Sequence, residues 1–446
     1  NDKDDDVKVT GSNEVTGNTV DIINNTDNDL KVTLSDVTIT DPKGDAAPVS
    51  VSGTGNTAIE LDGSNTLKSS GWHAGLERNE EKNSDGNVVS GKLTIQDEDK
   101  NGSLDATGGF GGAGIGGANI KNSGALEITG GTITATGKQD GAGIGGGGSG
   151  GDGMVTISGG NITARGGSSD NPNAACGAGI GGGGFGGNAT VIITGDAVIE
   201  EATGGGACAG IGSGYYDAKT DITISGNAEV KNAQGGAQGA GIGGGGFRGT
   251  GTVTITDNAK VDNATGGEGA AGIGSGLVGN VTVNISGNAT VNAEGGANGA
   301  GIGGGYASAG DVTIEGGTTV SAAGGVGGGA GVGGGADLAG DEDTRNRVTI
   351  RSNGDGSPDV SAVGGAPEPG QDGEDASKGG AAIGSGALIS PDEDTMEADA
   401  DITIEGKVTI SAVAGKDGVA IGANGKEKAF DDLLPGSSID RRNTDG

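Results

Sequence analysis

The chain has very few bulky side chains. Its 446 residues include four Phe, three Tyr, one Trp and two Met. Large apolar side chains fill most of an ordinary globular core, so this chain cannot build a core of that kind. The remaining option is a core made of short columns of Val, Ile, Leu and Ala.

Several regular architectures are excluded by what the sequence lacks. The 106 Gly show no strict period of three and there are only eight Pro, which excludes a collagen-like triple helix. No segment keeps the 3.6-residue periodicity of an amphipathic helix. No run approaches the roughly 20 apolar residues of a membrane span. We therefore expect an all-β protein without membrane insertion.

Positive charge is scarce. The chain has 26 Lys and Arg against 60 Asp and Glu, a net charge of −34, and no basic patch is visible. Because phosphates would be repelled, nucleic acid is not expected as a partner. Two Cys are too few to indicate an oxidising compartment. The first residue is Asn and no signal peptide is visible, so we interpret the chain as a processed protein or a fragment.

The most abundant feature is an internal repeat of about 30 residues. The tetrapeptide A-G-I-G occurs seven times, and three variants follow it. The apolar residues at the third position of these motifs are Ile115, Ile144, Ile180, Ile211, Ile242, Ile273, Ile302, Val332, Ile383 and Ile421.

Two further short segments separate successive A-G-I-G motifs. One reads V-T-I, as in Val155–Ile157, and the other reads I-T-A, as in Ile162–Ala164. Alternation places Val and Ile on one face and Thr on the other. Stacking the units buries the apolar faces and pairs the backbone groups of successive units. The sequence therefore predicts an all-β fold, a single-stranded right-handed parallel β-helix (β-solenoid) with about 30 residues per coil.

The repeat also predicts the organisation of the chain. Residues 1–110 are expected to form irregular N-terminal coils and a cap. Residues 111–422 form the regular repeats of the same continuous domain, and residues 423–446 form a C-terminal cap and linker. One buried column is expected from Ile144, Ile180, Ile211, Ile242, Ile273 and Ile302. Asn227, Asn258 and Asn288 should stack at one corner, in the left-handed backbone that Asn tolerates.

The GAGIGGG segments and the VTI-SGG-ITA strands resemble the Gly-rich right-handed parallel β-helix repeats of bacterial cell-surface, adhesin-like proteins. The resemblance covers about Ala58 to Gly422. It implies an extracellular location on a bacterial cell surface, within a larger multidomain protein. It also implies a role in adhesion or glycan contact, with a glycan or a host surface protein as partner. No shared functional motif is found, so it implies no particular ligand.

A polysaccharide lyase or hydrolase is the enzyme alternative, and a purely structural stalk is the third. The G-x-G-x-x-G pattern of Gly112, Gly114 and Gly117 recurs in many units without a following helix, which indicates a structural role rather than a nucleotide site. The single His, His73, lies in an irregular loop and is interpreted as a surface residue. No catalytic residue is predicted, and the chain is expected not to be an enzyme.

No cofactor is predicted, although calcium remains an alternative. The acidic runs do not have the EF-hand spacing, and solvated loops are the preferred interpretation. These runs are Asp2–Asp6, Asp97–Asp99, Asp341–Asp343 and Asp392–Asp394.

Cys176 and Cys208 are 32 residues apart, close to one repeat. Adjacent coils would place them near the same corner, where strand spacing permits a disulfide. They precede Ile180 and Ile211 by four and three residues, and this offset of one would point them apart. Both outcomes remain open.

Five aromatic residues fall at one place in the repeat. Phe185, Tyr216 and Phe247 each follow the Ile of their A-G-I-G motif by five residues, and Tyr215 and Tyr306 follow it by four. Rings that pointed inward would stack and fill a corner of the core. Rings that pointed outward would form an apolar strip on which sugar rings could lie. These five are the predicted carbohydrate-binding residues, with inward packing as the alternative.

Overall fold

A computed structural model describes residues 6–11, 15–40, 45–169, 176–337, 345–354, 356–369, 378–387, 400–423, 426–427, 433 and 437–443. The chain forms two compact units, Asn1–Ala218 and Lys219–Gly446. Every regular element in the described ranges is a β-strand. The two units are described separately below.

In its described residues the first unit, Asn1–Ala218, contains twenty short strands. They are β1 (Asp6–Thr10), β2 (Val20–Ile23), β3 (Leu30–Ser35), β4 (Thr38–Thr40), β5 (Val49–Ser52), β6 (Thr57–Asp62), β7 (Ser64–Lys68), β8 (Leu76–Glu77), β9 (Leu93–Gln96), β10 (Ser103–Thr107), β11 (Ile115–Gly116), β12 (Leu126–Ile128), β13 (Thr132–Thr136), β14 (Ile144–Gly145), β15 (Gly153–Ile157), β16 (Asn161–Arg165), β17 (Ile180–Gly181), β18 (Ala189–Ile193), β19 (Val198–Thr203) and β20 (Ile211–Gly212).

These strands form three parallel sheets, which we name after the motif that supplies most of their strands. The VTI sheet has the order β1-β3-β6-β9-β12-β15-β18, the ITA sheet β4-β7-β10-β13-β16-β19, and the AGIG sheet β2-β5-β8-β11-β14-β17-β20. The A-G-I-G motifs of successive coils pair with one another. For example, Ile144 pairs in register with Ile115 on one side and with Ile180 on the other. The sequence repeat therefore sets the register.

The second unit, Lys219–Gly446, repeats this plan. Its strands are β21 (Lys219–Ile224), β22 (Glu229–Val230), β23 (Ala233–Gln234), β24 (Ile242–Gly243), β25 (Thr250–Ile255), β26 (Lys260–Thr265), β27 (Ile273–Gly274), β28 (Asn280–Ile285), β29 (Thr290–Glu294), β30 (Ile302–Gly303), β31 (Asp311–Glu315), β32 (Thr319–Ala323), β33 (Val332–Gly333), β34 (Asn346–Arg351), β35 (Asp359–Val363), β36 (Ile383–Gly384), β37 (Ala400–Glu405), β38 (Thr409–Ala414), β39 (Ile421–Ala423), β40 (Lys426–Glu427) and β41 (Ser438–Asn443).

In the second unit the VTI sheet has the order β21-β25-β28-β31-β34-β37 and the AGIG sheet β24-β27-β30-β33-β36-β39-β40. The ITA sheet has the order β22-β26-β29-β32-β35-β38-β41, with β23 also paired to β26. Within this unit the described pairs are parallel apart from β39 with β40. In both units the chain visits the three sheets in turn, once per repeat, which is the architecture of a parallel β-helix. Right-handed crossovers are the general rule for such parallel connections.

The predicted core column is confirmed. Ile144, Ile180 and Ile211 in the first unit have no solvent exposure, and neither do Ile242, Ile273 and Ile302 in the second. In the VTI strands Val155 and Ile157 are buried while Thr156 between them is partly exposed. Period-two alternation thus builds the core from small and medium apolar side chains.

The final Gly of the A-G-I-G motif is required by close coil-to-coil approach. Gly274 has a φ of +138°, and a Cβ there would lie 2.0 Å from the carbonyl oxygen of Gly303 on the next coil. An L side chain fits neither the backbone conformation nor the space. This is why the motif ends in Gly.

The predicted Asn stack is confirmed in the second unit, but the expected backbone conformation is wrong. Asn258 Nδ2 donates to Asn227 Oδ1 at 3.2 Å, and Asn288 Nδ2 donates to Asn258 Oδ1 at 3.4 Å. The left-handed residue is the one before each Asn, namely Gly226, Asp257 and Gly287. Gly and Asp absorb the strained conformation, which leaves the Asn amides free to bond along the stack.

The boundaries expected at residues 110 and 422 stay a prediction. Strands and buried apolar residues already occur in the irregular region, for example in β6 and β9. Most of the expected C-terminal cap lies outside the described residues.

Candidate functional site

The turn that leads from each AGIG strand to the next VTI strand has a recurring conformation, and we call this turn the AGIG–VTI corner. A non-Gly residue with a left-handed backbone occupies it in eight coils. In an L-amino acid this conformation costs about 1–2 kcal/mol relative to the right-handed one. The residues are Ile120, Ser149, Phe185 and Tyr216 in the first unit and Arg248, Val278, Ala307 and Asp337 in the second.

In the first unit the corner carries a cluster of three rings, Phe185, Tyr215 and Tyr216, which we call the ring cluster. Phe185 is 52% exposed and Tyr216 is 44% exposed. The rings of Phe185 and Tyr215 meet edge to face with centroids 6.3 Å apart, and those of Tyr215 and Tyr216 are tilted at 5.9 Å. The left-handed backbone of Phe185 and Tyr216 thus presents their two rings to solvent, beside the ring of Tyr215.

Tyr215 supports this cluster from beneath. It is partly buried and packs against Cys176, Ala207 and Cys208. The two Cys form a disulfide with Cα atoms 5.9 Å apart. The sequence alone did not decide whether this disulfide forms, because the two Cys differ by one residue in their distance from the AGIG strands. The offset is compatible with the bond, because the Cα separation of 5.9 Å lies within the range that a disulfide spans. Cys176 also forms an isolated antiparallel bridge with Ser168.

In the second unit Phe247 and Tyr306 are partly buried. The Arg248 guanidinium lies 5.4 Å from the centre of the Phe247 ring, in cation–π contact. Counting five residues from Ile242 aligns Phe247 with Phe185. However, the left-handed residue of this coil is Arg248, so Phe247 lies one position earlier in the turn.

Tyr306 is fixed by an acidic partner. Its hydroxyl donates a 2.6 Å hydrogen bond to Asp337 Oδ2. This bond to the carboxylate, with burial and the negative charge adding to it, raises the pKa of Tyr306. Of the five predicted residues, only Phe185 and Tyr216 are exposed. The rings of those two point outward and the other three are partly buried. Carbohydrate binding by the five residues stays a prediction.

His73 is not the simple surface residue expected from the sequence. Its side chain is 27% exposed and its Nδ1 lies 2.6 Å from Glu77 Oε2. The hydrogen bond to Glu77 raises the pKa of His73. Burial opposes this shift, and the charges of Glu77 and Asp45 reinforce it.

The sequence analysis missed one strand of the AGIG sheet, β8, beside His73. Strand β8 pairs with β11, so that Leu76 aligns with Ile115 and Glu77 with Gly116. The tetrapeptide Ala74–Glu77, AGLE, was the available signal, since it shares its first two residues with A-G-I-G.

A buried Arg follows that motif. Arg78 has no solvent exposure, and its guanidinium donates to the carbonyl oxygens of Val51, Gly53 and Gly91. Burial lowers the pKa of Arg78, opposed by the charge of Glu81. The role of Arg78 is structural, because its donors are taken up by backbone carbonyl oxygens.

A groove of about 420 Å³ in the first unit contains carboxylates, as a polysaccharide-degrading site would. Asp97, Lys100 and Asp196 line it. Asp97 already accepts from the backbone N–H groups of Asn101 and Gly102 through its two oxygens. Its carboxylate therefore stabilises its own turn, and nothing in this geometry assigns it to acid–base catalysis.

The expected acidic run Asp97–Asp99 meets Glu60. One carboxylate oxygen each from Glu60, Asp97 and Asp99 lie within 4.8 Å of one another. The Lys31 Nζ lies 3.4 Å from Glu60 Oε2, so a positively charged side chain already lies beside these carboxylates. Burial acts to raise the pKa of Glu60, but its hydrogen bonds and Lys31 together lower it.

Three carboxylates carry six oxygens, against the six to eight that Ca²⁺ takes. The expectation of no cofactor, with calcium as the alternative, stays a prediction. The runs Asp341–Asp343 and Asp392–Asp394, and all of Asp2–Asp6 except its last residue, lie outside the described residues.

Comparison with known proteins supports the architecture. The model of the beta helix repeat matches five segments, 126–148, 155–184, 222–246, 253–277 and 283–306. Together with the parallel strand order, these matches show a parallel β-helix repeat protein. Searches of curated proteins and of solved structures found no match. Among the described residues, no helix has the length and apolar character needed to cross a membrane.

Proposed function

We propose that this β-helix is an extracellular, surface-displayed module that contacts glycans through the ring cluster of its first unit. The observation that carries the proposal is the exposure of Phe185 and Tyr216 at left-handed positions of adjacent AGIG–VTI corners. Gly would adopt that backbone at lower cost. Exposed rings at such positions lower stability, which favours a role outside packing.

The support beneath the rings fits a contact surface. Tyr215 is held against the Cys176–Cys208 disulfide and provides an edge for Phe185. A binding ring that is already ordered loses less conformational entropy when a ligand arrives. The faces of Phe and Tyr rings are apolar, so they suit the apolar faces of sugar rings.

The location and the wider role rest on the resemblance to bacterial surface repeats and on composition. The net charge of −34 disfavours nucleic acid and an anionic membrane surface as partners. A purely structural stalk remains the competing function, and a host surface protein is the competing partner.

The test is a glycan-array screen of the folded chain, followed by the same screen with Phe185→Gly/Tyr216→Gly. Ile120→Gly is the matched control, because Ile120 is 67% exposed and has the same left-handed backbone on another coil. The proposal expects glycan signals that fall about tenfold or more in the double variant and persist in the control. Binding of neutral glycans that survives the loss of both rings, or an array without any signal, would overturn it.

A further inference from the structure

The second unit has a groove of about 380 Å³ at its AGIG–VTI corner. It extends over four successive coils, from the corner before β25 to the start of β34. This volume lies within the usual range of ligand sites, about 300–1,000 Å³. The groove belongs entirely to the second unit, so it is separate from the ring cluster.

Arginine is concentrated in this groove. Arg248, Arg345 and Arg347 line it, and they are three of the chain's eight Arg. Asp311 also lines it, so the charged side chains among the described lining residues sum to +2 in a chain of net charge −34. The sequence showed no basic patch, because Arg248 lies 97 residues before Arg345 and only the coil stacking brings it near Arg345 and Arg347.

The groove is built from short side chains. Strand β34 pairs with β31 so that Arg347 aligns with Asp311. Arg248 lies at the opposite end, three strand separations away, which is about 14 Å. Thr250, Asn280 and Thr282 lie between these ends and offer hydroxyl and amide groups.

Arg248 is oriented by the neighbouring ring. Its guanidinium lies 5.4 Å from the centre of the Phe247 ring. A guanidinium in such contact keeps its in-plane N–H groups available for a bidentate carboxylate or sulfate. Its left-handed backbone places this side chain at the corner, as the corresponding backbone does for Phe185 and Tyr216.

We propose that this groove binds a short glycan that carries an isolated carboxylate or sulfate group. The anion would pair with Arg248 or Arg347, and the sugar hydroxyls would bond to Thr250, Asn280 and Thr282. The apolar lining consists of small residues, so the groove offers no deep pocket for the side chains of a peptide. A long polyanion is disfavoured, because the rest of the molecule repels it.

The experiment measures binding to the intact chain by calorimetry. The probes are a uronic acid disaccharide, a monosulfated disaccharide, a neutral disaccharide and an acidic tripeptide. The first two distinguish carboxylate from sulfate as the anion. Each titration is run at low and at high NaCl concentration, since screening weakens an ionic contact that is open to solvent.

The variants are Arg248→Gln and Arg347→Gln. Arg351→Gln is the matched control, because Arg351 lies on the same strand as Arg347 but pairs with Glu315 at 2.8 Å, away from the groove. Thermal unfolding monitored by circular dichroism confirms that each variant is folded. If Arg248→Gln proves unfolded, Arg248→Lys replaces it, since Lys keeps the charge and loses the bidentate geometry.

The proposal expects salt-sensitive binding of at least one anionic disaccharide, weakened about tenfold or more by Arg248→Gln or by Arg347→Gln, whichever Arg holds the anion. The control should bind as the parent does, and the neutral disaccharide should bind far more weakly. The proposal is overturned if neither anionic sugar binds or if both variants bind normally. It is also overturned if the control Arg351→Gln loses as much affinity as the groove variants. Binding of the tripeptide as tight as that of the sugars would overturn the choice of a glycan.

Discussion

Tyr215 meets Phe185 edge to face, with ring centroids 6.3 Å apart and ring planes at 80°. The two rings have different surroundings, since Tyr215 rests on the Cys176–Cys208 disulfide while Phe185 is largely exposed. One ring therefore serves packing and the other is available for contact. Substitution should separate these two roles.

Tyr215→Ala should destabilise the first unit by about 2 kcal/mol, because it removes a partly buried ring and its edge-to-face contacts. Thermal and chemical unfolding would measure this loss. Tyr215→Phe is the control, since it retains the ring and should keep nearly full stability. A Tyr215→Ala variant as stable as the parent would show that this ring does not support the corner.

Loss of the disulfide should have a larger effect. The bond joins residues 32 apart, and closing a loop of that length stabilises a fold by about 3–4 kcal/mol in the chain-entropy model. The variant Cys176→Ala/Cys208→Ala should unfold at a correspondingly lower denaturant concentration. Adding a reductant should lower the stability of the parent and leave the variant unchanged. An effect of reductant on the variant would contradict this assignment.

The A-G-I-G glycines should tolerate no side chain. Gly274→Ala places a Cβ 2.0 Å from the Gly303 carbonyl oxygen at a φ of +138°, so a loss of several kcal/mol is expected. Gly354→Ala is the matched control, because nothing lies within 4 Å of a Cβ at Gly354. The denaturation midpoints of the two variants give the comparison. Equal midpoints would mean that the coils approach less closely than described.

The His73–Glu77 contact should make stability depend on pH. The pKa of His73 is raised in the folded chain, chiefly by the hydrogen bond to Glu77. The His73–Glu77 contact therefore stabilises the fold fully below the pKa of His73 in the unfolded chain, about 6.5. This stabilisation is lost as the pH rises through the pKa of His73 in the folded chain. The stability difference between the parent and His73→Gln should shrink over that rise.

Because the chain has one His, its imidazole NMR signal reports this pKa without ambiguity. Glu77→Gln should bring the value down towards that of an isolated His. A folded His73 that titrates at or below about 6.5 would contradict the contact.

Sequence spacing is sufficient for the register and the core of this protein. Ile144 and Ile180 pair because each lies in an identical motif, and stacking like with like buries both. The strand at Leu76 escaped recognition because Glu77 replaces the Gly that ends this motif in the other coils. The signal was lost at the positions where this coil departs from the repeat.

The sequence also located the candidate site but not its orientation. Spacing placed Phe185 and Tyr216 at one corner, yet exposure depends on the left-handed backbone of the turn, which residue counting does not reveal. The sequence did not reveal the Arg groove, because Arg248 and Arg347 lie 99 residues apart, across three coil steps. Only the actual strand pairing brings them to one face.

The proposal that the ring cluster is a contact surface is tested most directly by the free energy of unfolding of Phe185→Gly/Tyr216→Gly relative to the parent. Gly relieves two left-handed backbones at about 1 kcal/mol each. The opposing losses are ring contacts with Tyr215 and the greater unfolded-state entropy of Gly, of similar size. We expect the free energy of unfolding of the double variant to lie within about 1 kcal/mol of the parent's or to exceed it. A loss as large as that of Tyr215→Ala, or larger, would show that the two rings are there to hold the fold together, and would contradict a contact surface at this corner.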